Sequence, residues 1–195
     1  MPNSTDRSNA IRPASGVRRS TQARFLDRLA ANIQPGRLEW IGLRTVRRGA
    51  IAEVESVQAL AEQGLEGDHR CRKTRGSGRQ VTLISREFIE QICRHMGQDS
   101  IDPALLRRNL VVSGMNLNLL RYQTLQIGDA IIVPGALCHP CSRMNENLGE
   151  GGVAAMYGYG GLCAKIVRSG VIRVGDQVTR LRLDSESVGD SLPLF

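Results

Sequence analysis

The sequence predicts a mainly β protein: a closed or partly closed β-barrel with a few short helices. Three observations predict it. Eight or nine short segments rich in branched aliphatic residues recur along the chain, glycines punctuate them, and only one sizeable stretch inside that region has helical spacing. Aromatic residues make up 4% of the chain against 41% hydrophobic residues overall, so the interior of such a barrel must be built from aliphatic side chains. At 195 residues the chain has room for one domain with terminal extensions.

Residues 1–36 form a basic N-terminal arm with six Arg against two Asp. Its first part, 1–19, is polar and broken by Pro13 and Gly16, a composition that does not bury a core. From Ser20 to Gln34, Phe25, Leu26, Leu29, Ala30 and Ile33 fall on one helical face, and Pro35-Gly36 stops the helix. The barrel domain is expected over 37–183. LEWIGLRT (38–45), IAEVESV (51–57), RQVTLI (79–84), NLVVSG (109–114), LQIG and DAIIVPG (125–135), LCAKIVRSG (162–170), VIRVG (171–175) and DQVTRLRL (176–183) read as its strands. Ser85 caps a helix in which Phe88, Ile89, Ile92, Cys93 and Met96 share a face, so Cys93 belongs to the core. Asp102-Pro103 pairs a cap with proline at the first helical position and predicts a short helix ending at Arg107 or Arg108. Two glycine-rich stretches, 64–78 and 145–161, read as functional loops, the second covering a site. Residues 184–195 form an acidic C-terminal tail.

The formal net charge is +7, and Lys73 and Lys165 are the only lysines, so the basic residues are nearly all arginine. The planar guanidinium suits carboxylate and phosphate, which points to an anionic partner or cofactor. No apolar run approaches the ~20 residues that span a bilayer, so no membrane role is expected. The N-terminus has no apolar signal-peptide segment, and five scattered cysteines do not suit a disulfide framework. A reducing cytoplasmic setting follows as the expectation.

The stretch GALCHPCSRM (135–144) carries the sharpest chemistry. Cys138 and Cys141 admit three readings. A thioredoxin-like redox pair calls for a βαβ setting that the strand pattern lacks. A structural zinc site needs four ligands, and His69, Cys71, His95 and Cys163 lack partner spacing. A single reactive thiol needs a cationic, accessible setting, which Arg143 and the basic loops can supply, and this is the most economical of the three. Elsewhere, Gly-Asp-His at 67–69 is a tight turn in which Asp68 either bonds turn amides or orients a basic residue or substrate. Arg107, Arg108 and Asn109 close the short helix, the arginines either satisfying its last carbonyls or binding an oxyanion. Arg79 and Gln80 enter a strand, so one of the two points to each face.

GLEGDH, RQVTLISREFI, LLRRNLVVSGMNL, LQIGDAIIVPGALCHPCSRM and GLCAKIVRSGVIRVGDQV occur in that order, and together they resemble the MOSC domain, the C-terminal domain of molybdenum cofactor sulfurases. The resemblance runs from about Leu38 to Leu183. It implies a pyruvate-kinase-barrel-like fold and a cysteine that carries sulfur or ligates molybdenum. That cysteine falls in a Pro-Cys dipeptide, here Pro140-Cys141, with Cys138 accessory. Cys141 is thus the implied catalytic residue, and the molybdenum ligand when the cofactor is bound. Asp68, Arg79, Arg108 and Asn109 are the implied cofactor-binding residues, joined by Arg143 from its place beside the thiol. The cofactor implied is molybdopterin. No pyridoxal phosphate is expected, because the lysine-bearing desulfurase domain of full-length sulfurases is not in this sequence, and a stand-alone MOSC protein is the expectation. Its partners are then a sulfur donor such as a cysteine desulfurase, or a redox partner. A second function class is a non-catalytic protein that binds nucleic acid or an acidic partner, although the aromatics that interleave basic residues in single-strand binders are missing. The closing SLPLF is similar to sliding-clamp docking peptides, without their leading glutamine, with Leu192, Leu194 and Phe195 as anchors.

Overall fold

The computed structural model describes residues 20–72 and 75–181, and the arm at 1–19 and the acidic tail with its SLPLF peptide lie outside them. Ser20 caps helix α1 (Thr21–Leu29), its hydroxyl accepting from the Ala23 amide at 3.2 Å. The helix is shorter than the 20–34 span expected from spacing, because the chain leaves helical geometry at Ala30, before Pro35-Gly36. The strands follow: β1 (Gly36–Leu43), β2 (Ala52–Glu53), β3 (Ser56–Leu60), β4 (Gly64–Leu65), β5 (Val81–Ser85), β6 (Leu110–Ser113), β7 (Thr124–Ile127), β8 (Ala130–Leu137), β9 (Leu162–Arg168), β10 (Gly170–Arg173) and β11 (Gln177–Leu181). Their positions match the branched-aliphatic segments of the sequence, except that β4 lies at the start of the 64–78 stretch read as a loop.

Seven of these strands close a barrel in the order β11-β7-β8-β9-β5-β6-β1, with β1 returning to β11 through Gly36↔Val178 and Arg37↔Gln177. The short β2 extends β1, and β10-β3-β4 form a separate three-stranded sheet. The pairings are antiparallel except β5–β6. A parallel pair needs a crossover, and α2 (Arg86–Met96) and α3 (Pro103–Leu106) supply it. Their signals in the sequence are used as expected. The Ser85 hydroxyl accepts from Phe88 N at 3.1 Å, Gly97 ends α2 in the left-handed region, and Asp102 Oδ1 accepts from Ala104 N at 2.9 Å.

The barrel interior is aliphatic: Leu38, Leu83, Leu110, Leu125, Ile127, Ile132, Leu162 and Ile166 are buried in one cluster. A second cluster contains Trp40, Ile84, Ile89, Ile92, Cys93 and Leu106, so Cys93 is a core residue as its helical face implied. This cluster also holds Met144, Leu148, Ala155 and Met156. Those four belong to α4 (Arg143–Leu148) and α5 (Gly152–Met156), two short helices where the glycine count predicted a covering loop. Gly149 and Gly151, at φ 94° and 86°, turn the chain between them. Each helix is too short to show periodicity in the sequence.

One glycine fixes how the segment after β8 meets β5. Gly161 sits at φ 81°, and a Cβ there would lie 1.9 Å from the Leu83 carbonyl oxygen. Gly161→Ala is expected to lose at least ~2–3 kcal/mol of stability in urea unfolding, because both backbone strain and a collision with backbone must be relieved.

Candidate functional site

The site begins with a buried polar network where β1 ends and β6 begins. Arg44, just past β1, is 5% exposed, and Asn109, just before β6, is 0% exposed. Asp68 Oδ2 accepts from Arg44 N and Arg44 Nε, both at 3.0 Å, and from Asn109 Nδ2 at 2.9 Å. Its Oδ1 accepts from Arg70 N at 2.8 Å. Asn109 Oδ1 accepts from Arg44 Nη2 at 2.6 Å and from the Thr82 hydroxyl at 3.0 Å, while Nδ2 also donates to Gly42 O at 2.9 Å. Such a network fixes its members because each donor and acceptor is satisfied by another. Burial alone would raise the Asp68 carboxyl. The Arg44 charge, with the amides of Arg70 and Arg44, reverses that and holds it below the ordinary carboxylate value. His69 Nδ1 lies 2.9 Å from Arg44 O; a carbonyl only accepts, so Nδ1 carries the proton.

Through Arg44 this network backs a cavity of about 480 Å³. Eight arginines line it: Arg44, Arg47, Arg48, Arg70, Arg79, Arg107, Arg108 and Arg143. His69, His139, Cys141 and Met144 complete the wall, and among the described residues no carboxylate lines it. Their mutual repulsion is legible in the charges. Burial, then the neighbouring Arg79 and Arg44, pulls Arg70 below the ordinary arginine value, and burial, then Arg143 and Arg44, does the same to Arg107. Arginine remains protonated nonetheless. Arg48 and Arg107 hold positive φ of 67° and 58°, conformations that cost a non-glycine residue ~1–3 kcal/mol and cluster at functional sites. Arg107 Nη1 donates to Gly49 O at 2.9 Å and ties the loop of Arg47 and Arg48 to the wall.

The arginines are not equally free. Arg108 is buried and donates to Gly160 O at 2.6 Å, Leu106 O at 2.9 Å and Cys138 O at 3.0 Å. Arg44 is held by Asp68 and Asn109. By contrast, the Nε atoms of Arg70 and Arg79 are buried without a hydrogen-bond partner among the described residues. A buried donor left unsatisfied is costly, a cost that an added acceptor would relieve.

The residues marked in the sequence therefore divide. Cys141 is exposed and stands on the cavity wall beside Arg143, the first residue of α4. Arg79 and Arg108 line the same cavity. Asp68 and Asn109 are brought to it as well, but behind Arg44, as residues that position the cationic floor. Cys138 is buried, three residues from the exposed Cys141. Its sulfur lies 3.3 Å from Arg79 Nη2. Among the described residues, no three His, Cys, Asp or Glu side chains gather to hold a metal ion by themselves. Arg107, read in the sequence as a helix-end or oxyanion residue, lines the cavity too. Arg44, Arg47, Arg48 and Arg70 were not singled out in the sequence; the basic run at 44–48 was the available signal for the first three.

Fold and site together define a class: a small β-barrel that presents an arginine-lined cavity with a thiol on its wall. The family model described as MOSC domain matches residues 67–179, and the chain belongs to the MOSC domain family, which is associated with the molybdenum cofactor. The YuaD protein of Bacillus subtilis has a similar fold, with 20% identity, 74% of this chain and 94% of that chain covered, and a TM-score of 0.63. YiiM of Geobacillus stearothermophilus is 14% identical over 75% of each chain with a TM-score of 0.61. YiiM of Escherichia coli is 18% identical over 79% of this chain and 72% of that one, with a TM-score of 0.57. No curated protein matches the sequence.

Proposed function

We propose that the chain binds the molybdenum cofactor, or a related phosphate-bearing pterin, in the arginine cavity and uses Cys141 as its reactive sulfur. The observation that carries this reading is an exposed thiol on the wall of a cavity lined by eight guanidiniums and, among the described residues, no carboxylate. The residues fit such a group. Arg70 and Arg79 offer buried donors without partners to its phosphate, and a thiol is the soft ligand that a metal of this kind takes. Arg143 and Arg107 flank the same space and raise the local positive potential. When bound, the cofactor's metal supplies atom-transfer redox chemistry. The chain itself binds the anionic end, orients it on the fixed Arg44 floor and presents Cys141.

The same thiol serves sulfur carriage. Cys141 then accepts sulfane sulfur as a persulfide from a donor such as a cysteine desulfurase, and the cavity receives the anionic acceptor. A reductase role needs an external redox partner instead. Either use fits a cytoplasmic, reducing setting, and among the described residues no helix is long and apolar enough to cross a membrane.

Intact-protein mass spectrometry before and after reductant tests the reading. The expected result is one extra sulfur atom on Cys141 after incubation with a desulfurase and cysteine, or a molybdopterin released on denaturation, with either lost in Cys141→Ala. A Cys141→Ala protein that retains both sulfur loading and activity would overturn it.

A further inference from the structure

Arg79 has a second neighbour that cofactor binding does not use. Its Nη2 donates to Cys138 Sγ at 3.3 Å, and among the described residues it forms no salt bridge to a carboxylate. Arginine stays protonated, so the charge that balances Arg79 locally is the Cys138 sulfur. Arg108 holds the same residue from the other side, through its bond to the Cys138 carbonyl at 3.0 Å. Leu137 pairs with Leu162, and Cys138 N donates to Gly161 O at 2.8 Å, so Cys163 stands diagonally beside Cys138 on the same face where β8 ends against β9. The neighbouring Cys163 thiol, against the opposing effect of burial and helped by Arg108 and Arg79, pulls Cys138 below the ordinary thiol value. The Cys138 sulfur, with burial, pushes Cys163 up. The arrangement favours the thiolate at Cys138 and the thiol at Cys163.

Cys138 is 1% exposed and lines a cavity of about 90 Å³ with His139, Pro140, Tyr157, Gly158 and Gly160. A water needs only ~10–15 Å³ of such volume, so a molecule the size of a small hydroperoxide fits beside the residue.

We propose that Cys138 is a second reactive sulfur, a thiolate paired with Arg79 that reacts with small hydroperoxides and is resolved by Cys163. In the first step the Cys138 thiolate attacks one peroxide oxygen. The O–O bond breaks, an alkoxide or hydroxide leaves and takes up a proton, and the sulfur is oxidised by two electrons to a sulfenic acid. In the second step the Cys163 sulfur attacks the sulfenic sulfur and gives its proton to the departing hydroxide. The S–S bond forms, the S–O bond breaks and water leaves. A dithiol reductant returns both sulfurs to the starting state. The disulfide is uncharged, so oxidation removes the counter-charge of Arg79 and adds an uncompensated guanidinium to the anion cavity. Cys138 and Cys141 are different residues on the walls of different cavities, so this inference stands whether or not the cofactor reading does.

The test is stoichiometric hydrogen peroxide on the full chain, read by intact mass and non-reducing peptide mapping. The expected product is a Cys138–Cys163 linkage, formed equally in Cys141→Ser. Cys163→Ser is expected to stop at a Cys138 sulfenic acid, trapped by a 1,3-diketone. Arg79→Gln, with folding checked by circular dichroism, is expected to slow oxidation roughly tenfold through a smaller thiolate fraction. The proposal fails if peroxide modifies Cys141 while Cys138 is still fully alkylated after unfolding. It also fails if Cys163→Ser yields no trapped Cys138.

Discussion

Asp68→Ala is expected to destabilise the protein by about 3–5 kcal/mol, seen as a lower urea midpoint with an unchanged slope. Its partner explains the size. Arg44 is buried, and its Nε and backbone amide both bond Asp68 Oδ2 at 3.0 Å. Deleting the carboxylate leaves a guanidinium in the interior without its counter-charge, and Asn109 Nδ2 and Arg70 N lose their acceptor too. The pH dependence has a definite sign. Asp68 is held below the ordinary carboxylate value of ~3.9. Above that ordinary value its contribution is fully present. As pH falls below it, the unfolded chain takes up a proton that the folded chain refuses, so stability declines through the folded value. Asp68→Asn should flatten that acid limb, and a stability profile from neutral pH to strong acid checks it. An unchanged limb would mean that Asp68 is not charged in the folded protein.

The second large effect concerns affinity. Arg70→Gln and Arg79→Gln are each expected to weaken binding of inorganic pyrophosphate by ~1.5–3 kcal/mol, roughly ten- to hundredfold in Kd. These are the two wall arginines whose buried Nε atoms are without partners among the described residues. Arg108 supplies the contrast, because its Nε, Nη1 and Nη2 all donate to carbonyls. Its replacement should show mainly in stability. Calorimetry at low and at moderate salt is the measurement, and the wild-type affinity should fall with salt in step with the charges engaged. Equal affinities for wild type and the Arg70→Gln, Arg79→Gln double variant would remove the anion site from this cavity. Cys141→Ala separates the two functions of the wall: pyrophosphate binding should persist in it.

Much of this was legible in the sequence. The strands announce themselves by branched aliphatic residues between glycines, and α2 and α3 by their caps, because these signals act over a few residues. α4 and α5 were not legible, since six and five residues present less than two turns and their glycines read as loop. Cys141, Arg79, Arg108 and Arg143 could be named from motif and charge. What could not be read was which distant side chain each arginine meets. Arg79 meets Cys138 across 59 residues of sequence and Arg44 meets Asn109 across 65. Partnerships of that span are decided by barrel closure, and no local pattern records them.

That closure sets a timetable for synthesis. The first barrel strand to leave the ribosome, β1, waits for β6 on one side and β11 on the other. Loop-closure entropy must be met before those distant contacts form, which makes such topologies slow. The nascent chain therefore holds most of its arginines apart until translation has nearly finished, and a polyanion has no assembled pocket to occupy on a half-made chain.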